Sequence, residues 1–69
     1  MLPNELTLDL LKRLASIHGQ IGGIIKMVNE QKEPDEILTQ FKAAQNGLEK
    51  AHYLLMDEVF RKSLALKLV

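Results

Sequence analysis

Leu10, Leu14, Ile17, Ile21, Ile24 and Val28 recur in alternating steps of four and three. That spacing lays apolar side chains along one stripe of an α-helix, close to a coiled-coil heptad. Past Pro34 the pattern restarts at Ile37, Phe41, Ala44, Leu48, Ala51, Leu55 and Val59. Between the two runs lies one polar stretch, Asn29-Glu30-Gln31-Lys32-Glu33-Pro34. Proline disfavours helical geometry at the residue before it and sits well in the first turn of a new helix. The spacing therefore predicts helix one over about residues 5–31, helix two over about 34–61, and a short third helix or frayed continuation over about 62–69.

Local chemistry agrees with the first two assignments. Asn4 or Thr7 is placed to cap helix one, and Glu5 and Asp9 suit the positive end of its dipole. Asp9 and Arg13, Asp57 and Arg61, and Glu58 and Lys62 all have the four-residue spacing of helical ion pairs. Two such helices cannot enclose a core between themselves. A 69-residue chain buries only about 60% of its unfolded surface as a monomer, and chains of this size are usually completed by disulfides, a metal or a partner subunit. With no cysteine and only two distant histidines, His18 and His52, self-association is the expectation. The fold class is read as all-α: a helical hairpin protomer, an antiparallel four-helix-bundle dimer, and a dimer-of-dimers tetramer.

Nine acidic residues balance nine basic ones, so there is no global pull toward nucleic acid or an anionic membrane. Any such binding has to come from a local arrangement of charge. No apolar run approaches the roughly 18 residues of a membrane span, and the N-terminus has no basic leader, so the chain is expected to be cytoplasmic with no membrane partner. The sequence offers no phosphate loop and no nucleophile constellation, so no catalytic residue is assigned. No metal ligand set or cofactor is assigned either: His18 and His52 read as partly buried or solvated side chains, and Met27 and Met56 as core filler.

Helix one carries three of the four glycines, Gly19, Gly22 and Gly23, each costing roughly 1 kcal/mol against alanine in a helix interior. At about 100° per residue, Gly19 and Gly23 fall opposite the apolar stripe, beside Lys12, Ser16 and Lys26. Ala15, Gly19 and Gly23 then form a ridge of small residues at four-residue spacing. Either they are tolerated surface positions, or they form a second contact surface for assembly or for DNA.

The segment Leu10 to Val28, with Arg13-Leu14, Ile17, Gly19-Gln20, Gly23-Ile24 and Lys26-Met27-Val28, is followed without a gap by Glu36-Ile37-Leu38-Thr39-Gln40, Gly47-Leu48-Glu49-Lys50 and Leu54-Leu55-Met56-Asp57. This pattern, over most of the chain, resembles the copper-sensing and nickel/cobalt-sensing repressors of the CsoR/RcnR type. The resemblance implies an all-helical oligomer that binds operator DNA through a basic face and releases it on capturing a metal, formaldehyde or a persulfide. It also implies that Pro34 stands where the family has its sensing cysteine, Glu58 where it has a histidine and Lys62 where copper sensors have a second cysteine. Cysteine-based sensing is therefore expected to be lost.

The DNA face is depleted as well. Family members commonly carry basic residues at the positions of Ala15, Ser16 and Gly22, and often an arginine at Gln45. Lys12, Arg13 and Lys26 remain as the expected DNA contacts, and Ala15, Gly19 and Gly23 as the expected oligomer contact. Two functions follow as expectations: a repressor with an altered inducer site, or a helical scaffold that has lost both sensing and DNA binding.

Overall fold

The described residues form two helices, α1 over Asn4–Asn29 and α2 over Pro34–Leu68. The computed structural model describes residues 1–68, with side-chain surroundings as far as Ala65, and contains no strand among them. Val69 lies outside the described residues. α2 passes through residues 62–68 without a break, as a continuation past the expected end near residue 61. No proline or glycine interrupts that segment, and Leu64, Ala65 and Leu66 are good helix formers.

The ends of the helices differ in detail from expectation. Neither Asn4 nor Thr7 caps α1; Pro3 holds the cap position without a side-chain hydrogen bond. Thr7 lies inside the first turn, where both its backbone N–H and its hydroxyl donate to the Pro3 carbonyl, at 2.9 and 3.0 Å. At the other end, Lys32 N–H donates to Met27 O (3.0 Å) and Gln31 N–H to Val28 O (3.1 Å). That pair of bonds is a Schellman closure, with Gln31 at φ 55° in the left-handed position that glycine usually fills. Pro34 then opens α2, and the Glu33 carbonyl accepts from the N–H groups of Glu36 and Ile37. The Asp35 carboxylate accepts from Glu36 N–H at 3.0 Å.

Of the expected helical ion pairs, Asp9–Arg13 and Asp57–Arg61 form, each at 3.0 Å. Glu58 and Lys62 do not pair. The Lys62 ammonium donates instead to the Met1 carbonyl at 2.6 Å, tying the chain start to the far end of α2.

The helices meet along a seam with a seven-residue repeat. Leu10, Ile17 and Ile24 of α1 and Ala44 and Ala51 of α2 are its buried residues. The two alanines let the helices approach closely, and Gly47 brings them closer still: a Cβ on Gly47 would lie 3.2 Å from Ile17 Cγ1. The same construction at Gly19, Gly22 and Gly23 meets nothing within 4 Å. Gly47 is thus the glycine that packing requires, and the three in α1 face open space.

Each apolar stripe read from the sequence is in fact two columns. Leu10, Ile17 and Ile24 turn into the seam, whereas Leu14, Ile21 and Val28 remain 44–54% exposed. In α2, Ala44 and Ala51 turn in, while Phe41, Leu48 and Leu55 remain 40–52% exposed. The result is a ribbon of 56 × 19 × 11 Å with a radius of gyration of 16.4 Å, against roughly 11 Å for a compact chain of this length. Its 5989 Å² of accessible surface exceeds the roughly 4400 Å² of a compact monomer of this mass.

Gly47→Leu is expected to lower stability by about 1–3 kcal/mol, through overpacking against Ile17. Gly22→Ala, with open space around it, is expected to raise stability by about 0.5–1 kcal/mol. Circular-dichroism melts at one protein concentration check both, and a Gly47→Leu variant as stable as the parent chain would overturn the close approach of Gly47 to Ile17.

Candidate nucleic-acid interface

The register set at Ile17 and Gly47 determines which cations stand together. Successive residues turn by about 100°, so Lys12 and Arg13 leave α1 in different directions. Lys12 and Lys26 are exposed on the edge of α1 facing away from α2, two heptads and about 21 Å apart along the axis. Gly19 lies midway between them.

Arg13 sits at the border of the seam and is half-buried. Its Nε donates to Asp9 Oδ1 at 3.0 Å. Both groups are substantially exposed, so this pair is worth only about 0.3–0.5 kcal/mol. Its value is positional, because it holds the guanidinium with one edge engaged. Lys50 of α2 lies at the same level. Arg13 and Lys50 together with Ser16, Ile17, Gln20, Ala43 and Gly47 line a cleft of about 220 Å³ between the helices. A wider opening of about 500 Å³ continues from it, lined by Arg13, Glu49, Lys50, Tyr53 and Leu54.

Lys50 is absent from the DNA contacts expected from sequence. Those all lie on α1, whereas pairing Arg13 with Lys50 requires the relative register of two antiparallel helices. The signal available was Gly47, which marks where α2 comes closest.

Ala15, Gly19 and Gly23 are all exposed, forming a bare ridge on the outer side of α1 that touches nothing within the hairpin. On the opposite broad face the outward columns form an apolar groove of about 350 Å³, lined by residues that include Ile21, Ile25, Phe41 and Leu48.

Within one hairpin, the three positions where the resemblance places inducer ligands do not converge. Pro34 is the first residue of α2, and Glu58 lies 24 residues further along the same helix, about 36 Å at 1.5 Å per residue. Pro34 has no side-chain donor atom and the Lys62 ammonium is engaged with Met1. No group of three or more histidine, cysteine, aspartate or glutamate side chains is placed to hold a metal among the described residues. His18 and His52 are exposed on separate helices, and Met56 is exposed rather than core filler, while Met27 is half-buried. No helix of the described residues is long and apolar enough to cross a membrane.

Compared with protein families, residues 7–68 match the metal-sensitive transcriptional repressor family, a match that takes in both helices. Among characterised proteins, the copper-sensing transcriptional repressor RicR of Mycobacterium tuberculosis (strain ATCC 25618 / H37Rv) is 38% identical over 47 residues. The aligned segment is 68% of this chain and 49% of that protein, so the chain spans about half the length of this relative. No solved structure matches. An all-helical hairpin whose two helices are covered by residues 7–68 except for the first three residues of α1 carries the pattern across nearly its whole length, and the chain belongs to the CsoR-like family of metal-sensitive transcriptional repressors, a family of regulators rather than enzymes.

Proposed function

We propose that this chain is a DNA-binding transcriptional repressor that works as a symmetric oligomer and whose inducer is not captured by cysteine. The observation that carries the reading is the placement of Lys50 beside Arg13. It restores a paired cationic site on a chain that has few basic residues on α1 and no net charge. Lys12 and Lys26 add two phosphate contacts on the outer edge of α1. Phosphate contacts of this kind position a protein on a duplex and dominate its affinity.

Arg13→Ala, Lys50→Ala and Lys26→Ala are each expected to weaken binding to DNA from upstream of the gene. Each should flatten the plot of log K against log salt by about 0.9 for every phosphate left unneutralised. Fluorescence anisotropy across a salt series, with scrambled DNA alongside, checks this. Unselective binding with an unchanged slope would favour the scaffold reading, in which the loss of basic residues on α1 is decisive.

Oligomerisation supplies what the hairpin lacks. The accessible surface exceeds that of a compact monomer by roughly 1600 Å², more than the roughly 800 Å² per partner of a standard interface. A second copy laid on the outward columns buries Leu14, Ile21, Phe41 and Leu48 in an antiparallel four-helix bundle. The bare ridge of Ala15, Gly19 and Gly23 is then free to join two dimers. Ile21→Glu is expected to yield monomers with reduced helicity, because it buries an unpaired charge. Gly23→Leu is expected to stop assembly at the dimer. Sedimentation velocity reads both, and a Gly23→Leu variant that remains tetrameric removes the ridge from assembly.

Copper sensing, the property of RicR, does not transfer to these residues. Cu(I) selects soft thiolate and thioether ligands, the 69 residues contain no cysteine, and Pro34, Glu58 and Lys62 include no soft donor. In competition with a colorimetric Cu(I) chelator, the protein is expected to leave the metal with the chelator and keep its DNA affinity. Withdrawal of Cu(I) from the chelator would overturn this part of the reading.

A further inference from the structure

The narrow cleft at Arg13 and Lys50 differs in chemistry from the other openings in the hairpin. Its lining holds two cationic side chains, the Ser16 hydroxyl and the Gln20 amide, and no carboxylate. Glu49 belongs to the wider opening beyond it. Asp9 engages Arg13 through Nε, which leaves both terminal nitrogens of the guanidinium available as a planar pair of donors. Ala43 and Gly47 contribute almost no side chain to the lining, and Ile17, which also lines it, is buried in the seam. At about 220 Å³ the cleft has several times the roughly 30 Å³ share of one water molecule.

We propose that this cleft binds a small tetrahedral oxyanion of the phosphate class, and that its occupancy competes with operator DNA for Arg13 and Lys50. The competition rests on the DNA-binding reading above; the binding of the ion does not. A phosphodiester of a duplex brings one negative charge and meets the rim of the cleft, because its sugars and neighbouring bases cannot follow it between the helices. A free phosphate monoester or inorganic phosphate carries more than one negative charge at neutral pH, about −1.5 to −2 for a monoester, and at least three acceptor oxygens. Without those attachments it can contact Ser16 and Gln20 as well as both cations, all of which line the cleft. Such an ion gives a repressor without cysteine a means of release that uses the groups holding the DNA.

The test titrates inorganic phosphate into the isotopically labelled full chain at constant ionic strength, with sodium chloride as the matched control, and follows backbone amide shifts. Saturable shifts are expected over residues 13–20 and 43–50 with phosphate alone. Lys50→Gln should weaken binding about tenfold, the size of one charge-assisted hydrogen bond. Ala43→Leu, which fills the cleft at an exposed helical position and keeps both cations, should abolish it. Lys42→Ala removes a positive charge elsewhere on α2 and should leave it intact.

A second arm repeats the DNA anisotropy with phosphate at constant ionic strength. Phosphate should weaken DNA binding by the wild-type chain and spare the residual binding of Lys50→Gln. Absence of saturable shifts, shifts that survive both Lys50→Gln and Ala43→Leu, or equal loss in Lys42→Ala would each overturn the site. Phosphate binding that leaves DNA affinity unchanged would overturn the competition. Failure of the wild-type chain to bind DNA at any salt would overturn the functional reading and the competition with it, and the titration would still decide the cleft.

Discussion

Ile17 packed against the bare backbone of Gly47 sets the register of two helices that otherwise touch through small residues. In a seam whose α2 side is Ala44, Gly47 and Ala51, little side-chain volume is available to choose between registers one heptad apart. A large aliphatic facing a missing side chain supplies that choice, because sliding by a heptad would drive Ile17 or Ile24 against a residue with a Cβ. Once the register is set, Arg13 stands level with Lys50, and the outward columns of both helices line up on one face.

The close seam has a second consequence. Alanine and glycine bring the helices together but bury little apolar area, and burial contributes about 25 cal/mol per Å². On α2 the larger apolar residues, Phe41, Leu48 and Leu55, are turned outward, and on α1 Leu14, Ile21 and Val28 are left exposed beside the buried Leu10, Ile17 and Ile24. A lone hairpin therefore covers one apolar column of each helix and leaves the other exposed. The proposed oligomer gives this distribution a use, its core being completed between chains by the exposed leucines and phenylalanine.

Helix existence, the single break at Pro34 and the Asp9–Arg13 and Asp57–Arg61 pairs were all legible from spacing, because they depend on contacts within a few residues. The division of each stripe into inner and outer columns was not. A four-three repeat fixes one wide apolar face, and which half of that face meets the sister helix depends on residues elsewhere in the chain, here Ala44, Gly47 and Ala51. The same gap hid Lys50, since a cation pair across a hairpin has no signature in either helix alone. The missed cap at Asn4 and the left-handed Gln31 are of another kind: Pro3 took the first position, and the turn was closed by backbone bonds that tolerate glutamine where glycine costs less. Glu58 and Lys62 had the spacing of an ion pair, and a nearby carbonyl at Met1 won the lysine.

The remaining glycines of α1 acquire a physical reason from the neutral charge of the chain. With four cations per subunit at the proposed contacts, one hairpin could neutralise only a few phosphates, and the weakening from each missing cation is compounded by salt. A symmetric oligomer multiplies those contacts, because after the first subunit engages, the others bind at high effective concentration. In the proposed assembly, the flat, side-chain-free edge between Lys12 and Lys26 serves the close approach of another dimer. The cost of glycine in a helix is then borne where the assembly gains surface. In the proposed repressor the apolar outward face and the sparse basic residues are thus coupled: the weaker the DNA contact of one hairpin, the more binding would depend on the interface that its leucines and isoleucines leave open.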